Sequence, residues 1–237
     1  MKSPLLDEMF YPPFEGFPRE GIEFLRKLKR NNDRRWFGTH RTQYEEFVKL
    51  PMQSLIAALA LKMHDYAPEY DTDPKRAMFR IYRDTRFSRD KTPYKTHVAA
   101  NFAPKGMSKG DGGLYVHIEP GEIYIGGGIY MPSSDQLKKI RGAIATRSEE
   151  FLGIVNHRAF RRTYESISGE RLTRVPQGFD RDHPMKEYLV LKQFYAGASL
   201  DESLCFTSAF ISIVHTHFRI ILPLVEFLNS AIKNGGK

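Results

Sequence analysis

A chain of 237 residues with 41% hydrophobic and 27% charged content is long enough to bury a substantial core and has the make-up of an ordinary globular protein. Its 36 Lys/Arg against 28 Asp/Glu leave a net charge of +8, and its one cysteine excludes an internal disulfide and a thiolate metal cluster. The longest apolar stretch, Ala209 to Leu228, is interrupted by His215, His217, Arg219 and Glu226, so no membrane span of roughly 18 apolar residues is expected.

The first 18 residues are rich in Pro and Phe and read as an irregular arm whose aromatics (Phe10, Tyr11, Phe14, Phe17) tuck against the body. Asp7 and Glu8 fall where a secretory signal would be apolar, and with a single cysteine this makes cytoplasmic residence the expectation. From Gly21 the spacing of Ile22, Leu25 and Leu28 predicts a helix, with Asn31 ending it in a left-handed conformation and Asp33 capping the next. Trp36, His40, Tyr44 and Phe47 form a stripe on that second helix. Pro51 marks a break or a new first turn, and Leu55, Ile56, Leu59 and Met63 give a third helical face.

From Ala77 the period changes to two, predicting strands at Ala77 to Asp84 and Thr96 to Phe102. Two more, Leu114 to Ile118 and Ile123 to Ile129, flank Glu119-Pro120-Gly121-Glu122, the composition of a type II hairpin turn. Ser133 and Gln136 are spaced as a capping box. Helical material follows at Glu149 to Val155 and Ala159 to Ile167, strand-like residues at Leu172 to Val175 and Tyr188 to Phe194, and one long buried helix from Thr207 to Ile232, with Pro223 inside it. The expected fold is a single α+β domain over residues 1–237: a mainly antiparallel sheet of four or more strands at about 77–130, with helices N-terminal and C-terminal to it.

Charge is distributed unevenly. Ten Lys/Arg and only two Asp (Asp84, Asp90) lie between Lys75 and Lys109, so this window carries the entire +8 and the remainder is neutral. Its centre reads Arg80-x-x-Arg83-Asp84-x-Arg86-Phe87, then Asp90-Lys91-x-x-Tyr94-Lys95. This pattern resembles the signature of a bacterial and fungal family filed as domain of unknown function 2461. Asn31-Asn32-Asp33 with Trp36-Phe37, Gly126-Gly127-Gly128 with Pro132, and Gly178 with His183-Pro184 are similar to that family as well. The resemblance brings with it no activity and no catalytic residues.

Guanidinium groups are permanently charged and offer a planar fork of donors that matches phosphate and carboxylate oxygens. Arg80, Arg83, Arg86, Lys91, Tyr94 and Lys95 are therefore the candidate ligand-binding residues, with Asp84 as orienter or general base. Two partners fit such a segment: a phosphate- or carboxylate-bearing small molecule held in a pocket, or a single-stranded nucleic acid or RNA stacking on Tyr82, Phe87 and Tyr94. The competing reading is structural, with Asp84 and Asp90 pairing with the arginines and pinning the loop, and with function on another surface.

The triple glycine matches no phosphate-binding loop, and close strand packing is the better account of it. His215 and His217 are two apart on a helix and face opposite sides; His97 and His117 can face one another across strands, but no carboxylate joins them at ligand spacing. No metal and no cofactor are expected. His183 reads as a turn residue, and Cys205 has no nucleophile's surroundings.

Overall fold

The computed structural model describes residues 11–107 and 111–234. Phe10, most of the N-terminal arm and part of the loop after Pro104 lie outside the described residues. The fold is α+β, built on a four-stranded antiparallel sheet of order β1-β2-β3-β4, with β1 Val98–Phe102, β2 Gly113–Glu119, β3 Glu122–Ile129 and β4 Phe194–Leu200. Two compact units are distinguishable. The first takes in the described residues up to Lys105, with Tyr115–Ile125 and Ser199–His215; the second takes in the described residues of 106–114, with Gly126–Ala198 and residues 216–234.

In the first unit, α1 (Arg19–Arg30) buries Ile22, Leu25 and Leu28, the residues that its sequence spacing selects, together with Phe24. Asn31 ends it at φ −129°, not in the left-handed region, while its side-chain amide donates to the Lys27 carbonyl at 2.9 Å. Asp33 then caps α2 (Arg34–Thr39), its Oδ1 accepting from the amides of Arg35 and Trp36 at 2.9 Å each. The stripe of Trp36, His40, Tyr44 and Phe47 does not form as such. The helix breaks at His40 before α3 (Arg41–Tyr44), which shifts the buried face to Phe37, Tyr44 and Val48.

A π-helical turn at Glu45–Lys49 leads into α4 (Leu50–Met63). Pro51 lacks the amide that would bond the Phe47 carbonyl, and its ring crowds that carbonyl, so the backbone widens just before it. A Cβ on Gly21 would lie 2.1 Å from this same Phe47 oxygen, so only glycine lets α1 approach here. Met52, Leu55, Ile56, Leu59 and Met63 are fully buried.

The alternation at Ala77 to Asp84 does not produce a strand. Asp73 caps a helical turn, α5 (Pro74–Ala77), and beyond it the chain pairs in strand fashion, among the described residues, only at the isolated bridges Met78–Ala100 and Tyr82–Tyr94. Arg83 donates its amide to the Pro93 carbonyl at 2.9 Å, but Pro93 has no amide to return, and the ladder stops there. The fourth strand comes instead from residues 194–200. Pro120-Gly121 closes the β2–β3 hairpin with Gly121 at φ +95°, as a type II turn requires. One face of these strands, with Val98, Ala100, Phe102, Val116, Ile118, Ile123 and Ile125, is buried; on the other, Tyr115, His117, Glu119, Glu122 and Tyr124 are half-buried.

In the second unit the three glycines are packing positions. A Cβ on Gly126 would meet the Ala196 carbonyl of β4 at 2.3 Å, and one on Gly127 would meet the Gly113 carbonyl at 2.9 Å. Ser133 and Gln136 form the capping box that opens α6 (Ser134–Thr146), followed by α7 (Ser148–Val155) and α8 (Arg158–Tyr164). The strand read at Tyr188 is helical until Leu189, as α9 (Lys186–Leu189), and Leu172 to Val175 lies beyond the single bridge Arg171–Leu191.

The last helix, α10, runs Phe210–Asn234 with Pro223 inside it. By length and mean hydropathy (1.4) it is apolar enough to cross a membrane, which the interruptions at His215, His217, Arg219 and Glu226 do not prevent. Phe210, Val214, Phe218, Ile221, Val225 and Leu228 are nonetheless fully buried within the protein, as in a core helix.

Candidate functional site

The arginine-rich segment spends much of its charge on itself. Arg86 makes a two-point pair with Asp84, at 3.0 and 2.8 Å, on an exposed loop. The bonds from the Arg86 side chain and amide hold the Asp84 carboxyl down to about 2, too acidic for a general base near neutral pH. Arg83 engages Asp90 and Thr92, both through Nη1 alone. The Thr92 amide, then Arg83, holds the Asp90 carboxyl at about 2 as well. Lys91 donates to the Thr85 carbonyl at 2.9 Å. The pairing alternative read from the sequence thus describes Asp84 and Asp90 correctly.

Tyr94 is buried, and its ring stacks on Phe37 with centroids 4.1 Å apart, so packing holds the side chain in place. Its backbone is pinned on both sides by one residue: Asn32 Nδ2 donates to the Tyr94 carbonyl at 2.9 Å, and the Tyr94 amide donates to Asn32 Oδ1 at 3.0 Å. An amide side chain is the right tool, because it presents the donor and the acceptor of a peptide group together.

This clamp draws the loop against the end of α1 and closes a cleft of about 330 Å³ lined by Lys29, Asn32, Arg83, Asp90, Thr92, Tyr94, Lys95, Thr96 and His97. Of the six predicted ligand-binding residues, Arg83, Tyr94 and Lys95 line it; Arg80, Arg86 and Lys91 do not. Lys29, supplied by the preceding helix, was not legible as a member. Asn32, three residues further on, carries no charge to attract notice.

Lys95 donates to the Arg80 carbonyl at 2.8 Å and lies 5.0 Å from the Phe79 ring centroid. Burial and then the Arg80 charge pull its pKa down, which marks an ammonium lacking a full anionic counterpart. Burial and the neighbouring His117 push His97 down to about 4 and keep it neutral at pH 7.

His97 leads from the cleft to the half-buried face of the sheet. Its ring centroid lies 5.3 Å from that of His117, which stacks on Tyr124 at 5.6 Å. Carboxylates lie beside His117: one ligand atom each from His117, Glu119 and Glu122 lie within 4.8 Å of one another. The signal was present as His117-x-Glu119-Pro-Gly-Glu122, because alternation puts 117 and 119 on one face and a two-residue turn brings 122 beside them.

His183, His215, His217 and the cysteine have other duties. His215 packs on the Tyr66 ring and His217 on Tyr164, so the two do not share an ion. His183 accepts from the Met185 amide in a turn. Cys205 is fully buried and its thiol is pushed up to about 12, the wrong state for a nucleophile.

No curated protein matches the chain. A family model does match, over residues 20–227, which include the arginine motif, the Asn32 clamp, the cleft and the β2–β3 hairpin: the chain belongs to the family of conserved hypothetical proteins DUF2461.

Proposed function

We propose that the cleft lined by Lys29, Arg83 and Lys95 binds the phosphate or carboxylate group of a small anionic molecule. The observation that carries this is the charge of the lining: three cations against one carboxylate, Asp90, which engages only one nitrogen of Arg83. Asn32, Thr92 and Thr96 add uncharged polar groups at the wall, and Lys95 is partly desolvated, so an arriving anion gains more there than at an open surface.

The test is calorimetric titration with inorganic phosphate and a nucleoside monophosphate, comparing the wild type with Lys95→Met and Lys29→Met. Saturable binding that each variant weakens at least tenfold supports the reading; binding unchanged in both variants sinks it.

One observation favours a second reading. Phe79 (44% exposed), Tyr82 (49%) and Phe87 (95%) offer open rings interleaved with Arg80, Arg86 and Arg89, an arrangement suited to stacking the bases of a single strand. On that reading a single-stranded oligonucleotide binds with steep salt dependence, and Phe87→Ala weakens it while leaving phosphate binding intact.

A further inference from the structure

The half-buried face of the β2–β3 hairpin carries a donor set that no part of the anion-binding reading uses. From the convergence of His117, Glu119 and Glu122, we infer that this face binds one divalent cation of the Zn²⁺ or Mn²⁺ class.

The donors are set by the hairpin itself. His117 and Glu119 stand two apart on β2 and share a face; Glu122 opens β3 across the two-residue turn on the same face. Metal–donor distances of about 2.0–2.2 Å mean that two donors on one ion lie no more than about 4.4 Å apart. The three ligand atoms lie within 4.8 Å of one another, so an ion would draw them in by up to about 0.4 Å.

The histidine is poised as a ligand. Its Nε2 is sealed from solvent without a hydrogen-bond partner among the described residues, and the nearest Glu119 oxygen is 3.9 Å away. In the tautomer that carries its proton on Nδ1, the Nε2 lone pair faces the Glu119 carboxylate, and a proton or a cation between them relieves the repulsion.

The surroundings supply the supports that metal ligands need. The other ring nitrogen, Nδ1, lies 3.2 Å from the Tyr115 hydroxyl, and the ring is held flat against Tyr124, which fixes its orientation. Ser199 donates its hydroxyl to Glu122 Oε1. Two of the three ligands are thus oriented by groups that do not themselves reach the ion. One imidazole with two carboxylates is a borderline set, suited to Zn²⁺, Mn²⁺ or Fe²⁺, and lacks the thiolates that would select softer ions. His97, whose ring lies against His117 and which also lines the anion cleft, places this site next to the cleft without making it depend on it.

The experiment uses the full-length, tag-free chain after dialysis against a chelator, titrated with Zn²⁺ and with Mn²⁺ by calorimetry. The expected result is one ion per chain, a shift of the His117 Nε2 resonance on addition of Zn²⁺, and at least tenfold weaker binding in Glu119→Gln and in Glu122→Gln. Circular dichroism of these near-isosteric variants should match the wild type. Ser199→Ala should weaken binding by less, and Lys95→Met, which disables the anion cleft, should bind the ion as the wild type does. Absence of stoichiometric uptake of either ion, or wild-type affinity in both glutamine variants, overturns the site. If a variant misfolds, an unmoved His117 resonance in the wild type overturns it just as surely.

Discussion

Two charged regions of the first unit behave in opposite ways. The loop at residues 84–93 has the higher density of charge in sequence, yet it is largely self-satisfied: Arg86 on Asp84, Arg83 on Asp90, Lys91 on a loop carbonyl. The sheet face and cleft beside it hold fewer charges, gathered from α1, residues 95–97 and the hairpin, and several of them lack full compensation. Charge that lies close in sequence finds its partner within the loop, because closing a short loop costs little entropy. Charge assembled from distant positions is held by the fold in places where no neutralising group is required to be. Density along the chain is thus a poor guide to availability for a ligand.

The contrast can be sharpened by mutation, starting on the sheet. Ile118 is fully buried between His117 and Glu119, so Ile118→Ala should cost about 3 kcal/mol in urea denaturation. Glu119→Gln, one residue away on the opposite face, should cost less than about 0.5 kcal/mol. Equal losses at the two positions would show that the polar face is structural after all.

Asn32→Ala comes next. It strands the amide and carbonyl of Tyr94 and should cost about 2 kcal/mol, with loss of anion binding as the cleft wall relaxes. Arg83→Ala removes a partly exposed ion pair and should cost less than about 1 kcal/mol while weakening phosphate binding about tenfold. A larger stability loss without loss of binding would return Arg83 to a purely structural role.

The smallest effect is a pH effect. Asp84 and Asp90 are depressed in the folded protein to about 2, so their pairs contribute stability above the ordinary carboxylate range. That contribution falls as pH drops from about 4 towards 2, because the unfolded chain takes up protons first. Carboxyl carbon NMR should give midpoints near 2 for both; midpoints near 4 would mean that the loop pairs are absent in solution.

Much of the local architecture can be read from the residues alone, and so can the family. Asp33 and Ser133 are legible as caps, Pro120-Gly121 as a hairpin turn, Leu55 to Met63 as a buried face and Phe210 to Leu228 as a core helix, because each is decided within one turn or one strand period. The +8 window is visible for the same reason. Tertiary structure alone decided that the fourth strand comes from 194–200; at the end of the 77–84 segment Arg83 meets Pro93, which has no amide to continue the pairing, and no pattern along 77–84 reveals that. It alone put Lys29 in the cleft with Arg83 and Lys95, turned Tyr94 inward onto Phe37, and brought Glu119 and Glu122 to His117. Those outcomes depend on which surfaces meet and in what register, and the free energy of such long-range contacts is set by the whole packed arrangement, not by any stretch of the chain.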